Sequence, residues 1–155
     1  MIDTPHLATL AAGPAALVRL TVPRPEIGNV MGPGLAELTQ TVAAQGIEAT
    51  GPWFTHHLRM DPEVFDFEIG VPVAAPVAPQ GRVVPGELPA VRVVRTEYRG
   101  AFEGLPEAWG RFDAWIAENG HTPGAEVWEV YLAGPESSPD PREWRTQLNR
   151  PLKSA

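Results

Sequence analysis

The sequence predicts an α+β domain made of two β-α-β-β units with antiparallel strands, each helix covering one face of its own sheet. Two observations carry that prediction. Met31, Leu35, Leu38 and Val42 form an apolar stripe on a 3.6-residue period that stops at Gly46, and Leu105, Trp109, Phe112 and Ile116 form another that stops at Gly120. Moving 74 positions along the chain carries the first set onto the second, terminal glycine included, which points to an internal duplication. Each helix is also flanked by short runs that alternate apolar and polar residues, as strands covered on one side do.

The elements follow in order. Ala15 to Val22 reads as a strand, with Val18, Leu20 and Val22 on one face and Leu17, Arg19 and Thr21 on the other. Pro23 and Pro25 end it, and the first helix runs to Gly46, a natural C-terminal stop. Gly51-Pro52 turns the chain into a strand from Trp53 to Arg59, and Asp61-Pro62 is a second turn signal. Phe65 to Val73 is the closing strand of the first unit, with Phe65, Phe67, Ile69, Val71 and Val73 facing one way and Asp66, Glu68 and Gly70 the other. Pro72, Pro76, Pro79, Pro85 and Pro89 then punctuate a connector with a short strand near Gly81 to Leu88.

After the connector the pattern restarts. Ala90 to Tyr98 is a strand, and Pro106 suits the first turn of the second helix, where a missing N–H costs nothing. Val127 to Leu132 alternates again, so its beginning near Trp128 matches the strand that begins near Trp53. The closing segment Thr146 to Leu152 aligns with Phe67 to Val73, a proline preceding the last apolar residue in both. The expected organisation is one domain over 1–155, with repeat one at about 15–73, a connector at 74–89 and repeat two at about 90–152.

Composition bounds the function. The formal net charge of -7, from 19 acids and 12 bases, repels phosphate backbones and argues against nucleic acid as a partner. No apolar run approaches a membrane span, and no basic-then-apolar leader opens the chain, so the expectation is a cytoplasmic protein without a membrane partner. The absence of cysteine excludes disulfides and thiolate chemistry. His56 and His57 are neighbours on a strand and point to opposite faces, and His6 and His121 stand apart, so no metal site is expected. No nucleophile elbow and no phosphate-binding glycine loop with its lysine are present, and no cofactor is expected.

Glu129 and Tyr131 are the residues that carry chemistry. With Trp128, Val130 and Leu132 packed under the second helix, Glu129 and Tyr131 fall on the opposite face, where a carboxylate beside a phenol lines a groove between the repeats. Asp66 and Glu68 are the corresponding groove acids of repeat one, Glu68 being the pseudo-symmetric carboxylate. Burying an acid costs several kcal/mol unless something pairs with it. The residues alone leave two readings open: a surface or internally paired acid, with Arg92 or Arg95 as partner, or a counter-charge for a ligand. One of Trp53 and Phe54 faces the groove, but a one-residue register change exchanges them. Trp109 and Phe112 belong to the core stripe, Trp115 lies off it and reaches the groove rim or covers it, and Trp144, after the short helical turn at Asp140 to Glu143, caps one end of the groove.

The stretch Tyr98 to Leu105 (YRGAFEGL) with Ala108-Trp109, Phe112, Trp115-Ile116 and Asn119-Gly120 resembles the GyrI-like family, also known as the AraC-type effector-binding domain and as the ligand-binding domain of multidrug sensors. The segment from Trp128-Glu129-Val130-Tyr131 through Asp140-Pro141, Trp144 and Pro151-Leu152 resembles the family's closing motif, and Phe65 to Val73 its first-repeat motif, so the likeness runs from about Ala15 to Leu152. The resemblance implies a duplicated SHS2-like fold and a groove that takes bulky, often cationic aromatic compounds. It implies that Glu129 faces the ligand's positive charge; the residues themselves add Tyr131, Trp53, Phe54, Glu68, Trp115 and Trp144 as expected ligand contacts. Some stand-alone members resemble hydrolases that open strained cyclopropane rings of DNA-alkylating compounds, which would make Glu129 and Tyr131 catalytic and leaves enzyme or binder undecided. Other members act on a protein partner. Two departures stand out: the chain has no segment for a helix-turn-helix beside the domain, and Gln147 occupies a position where the family commonly has an acid.

Overall fold

In the computed structural model, residues 2–60, 63–124, 126–134 and 137–152 are described, and the expected turn at Asp61-Pro62 lies outside them. The strands are β1 (His6–Leu10), β2 (Gly13–Pro23), β3 (Phe54–Met60), β4 (Val64–Pro72), β5 (Val83–Leu88), β6 (Val91–Arg99), β7 (Val127–Ala133) and β8 (Arg145–Pro151). The helices are α1 (Ile27–Ala44) and α2 (Leu105–Glu118), and the mixed α+β class is as the sequence predicts. The chain divides into two units, Ala11–Ala90 and Met1–Leu10 with Val91–Ala155. No helix among the described residues is long and apolar enough to cross a membrane.

In the unit of residues 11–90 the strand order is β3-β4-β2-β5, with every pairing antiparallel. Ala16, Val18 and Leu20 of β2 stand opposite Val71, Ile69 and Phe67 of β4, and these six pack with Leu38 and Val42 of α1 into one buried cluster. Two turns of stripe on a helix thus meet one apolar sheet face, and burying each large side chain contributes about 1.5–3 kcal/mol. The opposite face carries Arg19, Asp66, Glu68 and His56. Arg19 bonds both oxygens of Asp66 at 3.1 and 3.3 Å, and His56 Nδ1 lies 3.1 Å from Glu68 Oε1.

In the other unit the order is β1-β6-β8-β7, again antiparallel. Val94 and Tyr98 of β6 and Leu148 of β8 pack with Ala108, Phe112 and Ile116 of α2, and Trp109 and Trp115 lie against the cluster. β1 is not legible in the sequence: five residues are too few to show a period, and only pairing with β6 makes them a strand. Gly46 and Gly120, the two matched helix stops, both adopt the left-handed conformation, with φ of 67° and 76°.

The register corrects the sequence reading in two places. The 74-position shift that relates the helices also relates β3 to β7, so Phe54, Thr55 and His57 correspond to Trp128, Glu129 and Tyr131. Their partners Gly70, Ile69 and Phe67 on β4 correspond to Asn149, Leu148 and Thr146 on β8. Trp53 is therefore one residue short of matching Trp128. The counterpart of Glu129 is the buried Thr55, while Glu68, whose counterpart is Gln147, is not its pseudo-symmetric carboxylate.

Candidate functional site

The register also decides the faces of β7. Residues directly opposite in an antiparallel pair point to the same side. Glu129 is opposite Leu148, and Leu148 packs in the α2 cluster. Tyr131 is opposite Thr146, which is opposite Tyr98, another member of that cluster. Glu129 and Tyr131 therefore project from the helix-covered face, and Trp128 and Val130 from the other. The expected packing of Trp128, Val130 and Leu132 beneath α2 does not occur, and Leu132 is 37% exposed. Both faces of β7 carry large apolar residues, so alternation alone could not say which belongs to the helix.

Beneath α2 the Glu129 carboxylate is held at both oxygens. Trp109 Nε1 donates to Oε2 at 2.6 Å and the Tyr131 hydroxyl donates to Oε1 at 2.7 Å. Both donors are neutral groups, and their two bonds orient the carboxylate. Trp109 serves both core and site. It precedes Phe112 by three residues on α2, and their rings lie 5.5 Å apart, which ties the indole to a fully buried anchor.

Aromatic rings continue from Tyr131. Phe102, in the 3-10 turn Phe102–Gly104 that leads into α2, meets the Tyr131 ring edge-on at 6.0 Å and lies 4.9 Å from the ring of Trp144. Trp144 follows the 3-10 turn Pro141–Glu143, and its Nε1 donates to the Ser138 carbonyl at 2.9 Å, which fixes the indole to its own loop. The Asp140 side chain caps that turn by accepting from the Arg142 N–H at 3.0 Å. The result is a partly exposed carboxylate flanked by one phenol and one indole, with Phe102 leading from the phenol to a second indole, Trp144. Such a surface can seat a flat or bulky apolar group and place one negative charge against it.

Of the residues singled out from sequence, the structure brings Glu129 and Tyr131 together, adds Trp109, and links Trp144 to Tyr131 only through Phe102. Trp109 was hidden because its stripe position explained it as core. Phe102 stands in the Tyr98 to Leu105 segment with no periodic role, and that was its only signal. Trp115 stacks on His121 at 6.1 Å and shares no ring contact with Glu129 or Tyr131. Trp53, Phe54 and Glu68 belong to the other unit. There Trp53 packs against the α1 cluster, whereas Phe54 lies on the opposite face over Gly70, which answers which of the two shares a face with Glu68. Arg95, one suggested internal partner of Glu129, bonds Asn149 instead. Among the described residues no cluster of three or more His, Asp or Glu is placed to hold a metal ion.

The comparisons with known proteins agree with this architecture. The C-terminal domain of EcmrR is similar at 20% identity, covering 98% of both chains with a TM-score of 0.86. In the EcmrR–DNA complex the TM-score is 0.84, and the chain spans 58% of the length of that protein. SAV2435, solved bound to tetraphenylphosphonium, is 14% identical over 98% of this chain and 95% of that one, with a TM-score of 0.66. A hydrolase from Listeria innocua is 12% identical over 96% and 91% of the two chains, with a TM-score of 0.68. No curated protein matches the sequence. The model of the GyrI-like small molecule binding domain matches residues 3–153. The chain belongs to the GyrI-like family of small-molecule binding domains.

Proposed function

We propose that this protein binds bulky aromatic cations at the cluster around Glu129. The observation that carries the reading is the carboxylate held between Trp109 and Tyr131, with Phe102 beside the phenol and Trp144 against Phe102. An oriented anion beside aromatic rings suits a delocalised cation better than a small hydrated one, because apolar contact replaces water while the charge is met at one point. Each cation–π contact adds about 0.5–2 kcal/mol and tolerates many ring systems, so selectivity is broad. The tetraphenylphosphonium carried by SAV2435 is a ligand of this class.

The test is a fluorescence titration with rhodamine 6G, with tetraphenylphosphonium as competitor. Wild type binds both, and Glu129→Gln weakens both at least tenfold while keeping the same shape. Equal affinity in Glu129→Gln removes the acid from the reading.

A second reading, hydrolysis at the same cluster, draws on the Tyr131 hydroxyl bonded to Glu129 Oε1, since a carboxylate paired with a phenol can move a proton to or from a bound substrate. The Listeria neighbour described as a hydrolase is of the same fold. Incubation with a cyclopropane-bearing alkylating compound, followed by mass spectrometry, separates the two. Ring-opened product that disappears in Glu129→Gln favours the enzyme, and an intact compound with retained dye binding favours the binder.

A further inference from the structure

The face of β1-β6-β8-β7 turned away from α2 carries a row of aligned residues: His6, Arg95, Asn149 and Trp128, one from each strand in register. Arg95 is partly buried, and its Nε donates to Asn149 Oδ1 at 2.6 Å. Asn149 is fully buried, and its Nδ2 donates to Gln147 Oε1 at 3.1 Å. The amide is thereby fixed with its oxygen toward the arginine, and the guanidinium is held along its Nε edge. Its two terminal nitrogens keep their hydrogens for something else.

That something is not a carboxylate of the described residues. Arg19, Arg82, Arg111, Arg142, Arg145 and Arg150 each have a carboxylate oxygen within 3.1 Å. Among the described residues Arg95 has none within 4 Å. The nearest acid along its own face, Glu97, is two residues away on β6 and is engaged by Arg145 and by Arg99 at 3.8 Å. Withdrawal from water acts on Arg95 without an opposing charge and pushes its pKa below the usual arginine value.

We propose that Arg95, held by Asn149 and flanked by His6, is a binding site for a small monocarboxylate. The planar fork of Nη1 and Nη2 matches two carboxylate oxygens, and a single fixed cation balances a single negative charge. The site is separate from Glu129, on the other face of the same sheet, and it takes ligands of opposite sign. In a chain of net charge -7, an anion is drawn to this face only by such a local cation.

Benzoate is the probe, titrated at constant ionic strength into nitrogen-15-labelled wild-type protein, with benzyl alcohol as the neutral control. The Arg95 Nε–H and Asn149 side-chain amide signals shift saturably with benzoate and stay in place with benzyl alcohol. Arg95→Gln weakens benzoate at least tenfold, and Glu129→Gln leaves it unchanged even where dye binding is lost. Shifts that do not saturate, equal shifts with benzyl alcohol, or unchanged affinity in Arg95→Gln overturn the proposal. Should Arg95→Gln fail to fold by circular dichroism, wild type alone decides. Benzoate affinity must then fall as the benzoate itself is protonated on lowering the pH, and a flat profile overturns the site.

Discussion

Replacing Trp109 by Phe separates the two duties of this side chain. The phenyl ring keeps most of the contact with Phe112 but removes the N–H that donates to Glu129 Oε2 at 2.6 Å. A hydrogen bond to a charged acceptor contributes about 1.5–3 kcal/mol when well buried. Glu129 is only partly buried, so water recovers part of this, and about 1–2 kcal/mol is the expected coupling. Smaller packing losses at residue 109 would blur a single-variant measurement. A double-mutant cycle of Trp109→Phe and Glu129→Leu cancels them, because leucine has no acceptor for the indole N–H and both single variants are compared with the double variant. Urea unfolding at pH 7 gives the four stabilities. A coupling below about 0.3 kcal/mol, within the additivity expected of independent sites, would show that indole and carboxylate do not act on each other and would refute the site geometry.

Three further outcomes follow from the packing. Phe112→Ala empties a fully buried position under α2 and costs about 3–5 kcal/mol, read from the urea midpoint; a loss under 1 kcal/mol contradicts its place in the core. Gly104→Ala drives a methyl group into the Tyr98 hydroxyl, which is itself tied to the Ala101 carbonyl at 2.6 Å, so stability falls by about 1–3 kcal/mol, whereas Gly110→Ala, with open space around it, does not destabilise. His57 is stacked on Phe67 at 5.2 Å, and burial, then the neighbouring His56, then Arg24 push its imidazole down to about 4 from 6.5. The folded protein binds the proton less readily than the unfolded chain, so this contribution is intact above pH 6.5 and is lost as the pH falls toward 4, by roughly 3 kcal/mol in total. His57→Phe flattens that part of the stability profile between pH 7 and 4, and an identical slope in the variant contradicts a neutral, buried His57.

The elements other than β1, and their duplication, were legible because they rest on local periodicity. The stripes of α1 and α2, their terminal glycines and the alternation of β2, β4 and β6 each stand within a few residues of chain. β4 shows why this sufficed in one unit: Phe67, Ile69 and Val71 face Asp66, Glu68 and Gly70, so only one side could be core. β7 shows why it failed in the other. Trp128 and Val130 compete there with Val127 and Tyr131, and a carboxylate among them misleads, because an acid is expected away from the helix unless a donor awaits it.

The sequence by itself determined the α+β class, the two β-α-β-β units, and the pair Glu129 and Tyr131 on one face of one strand. Only the tertiary structure decided that this face is the one under α2. Leu148 opposite Glu129 made that choice, and Leu148 lies 19 residues further along the chain. Trp109 and Phe102 joined the site for the same reason. A helix stripe says which residues are buried, but the hydrogen bond of a buried indole depends on the strand beneath it, which register sets and local periodicity does not.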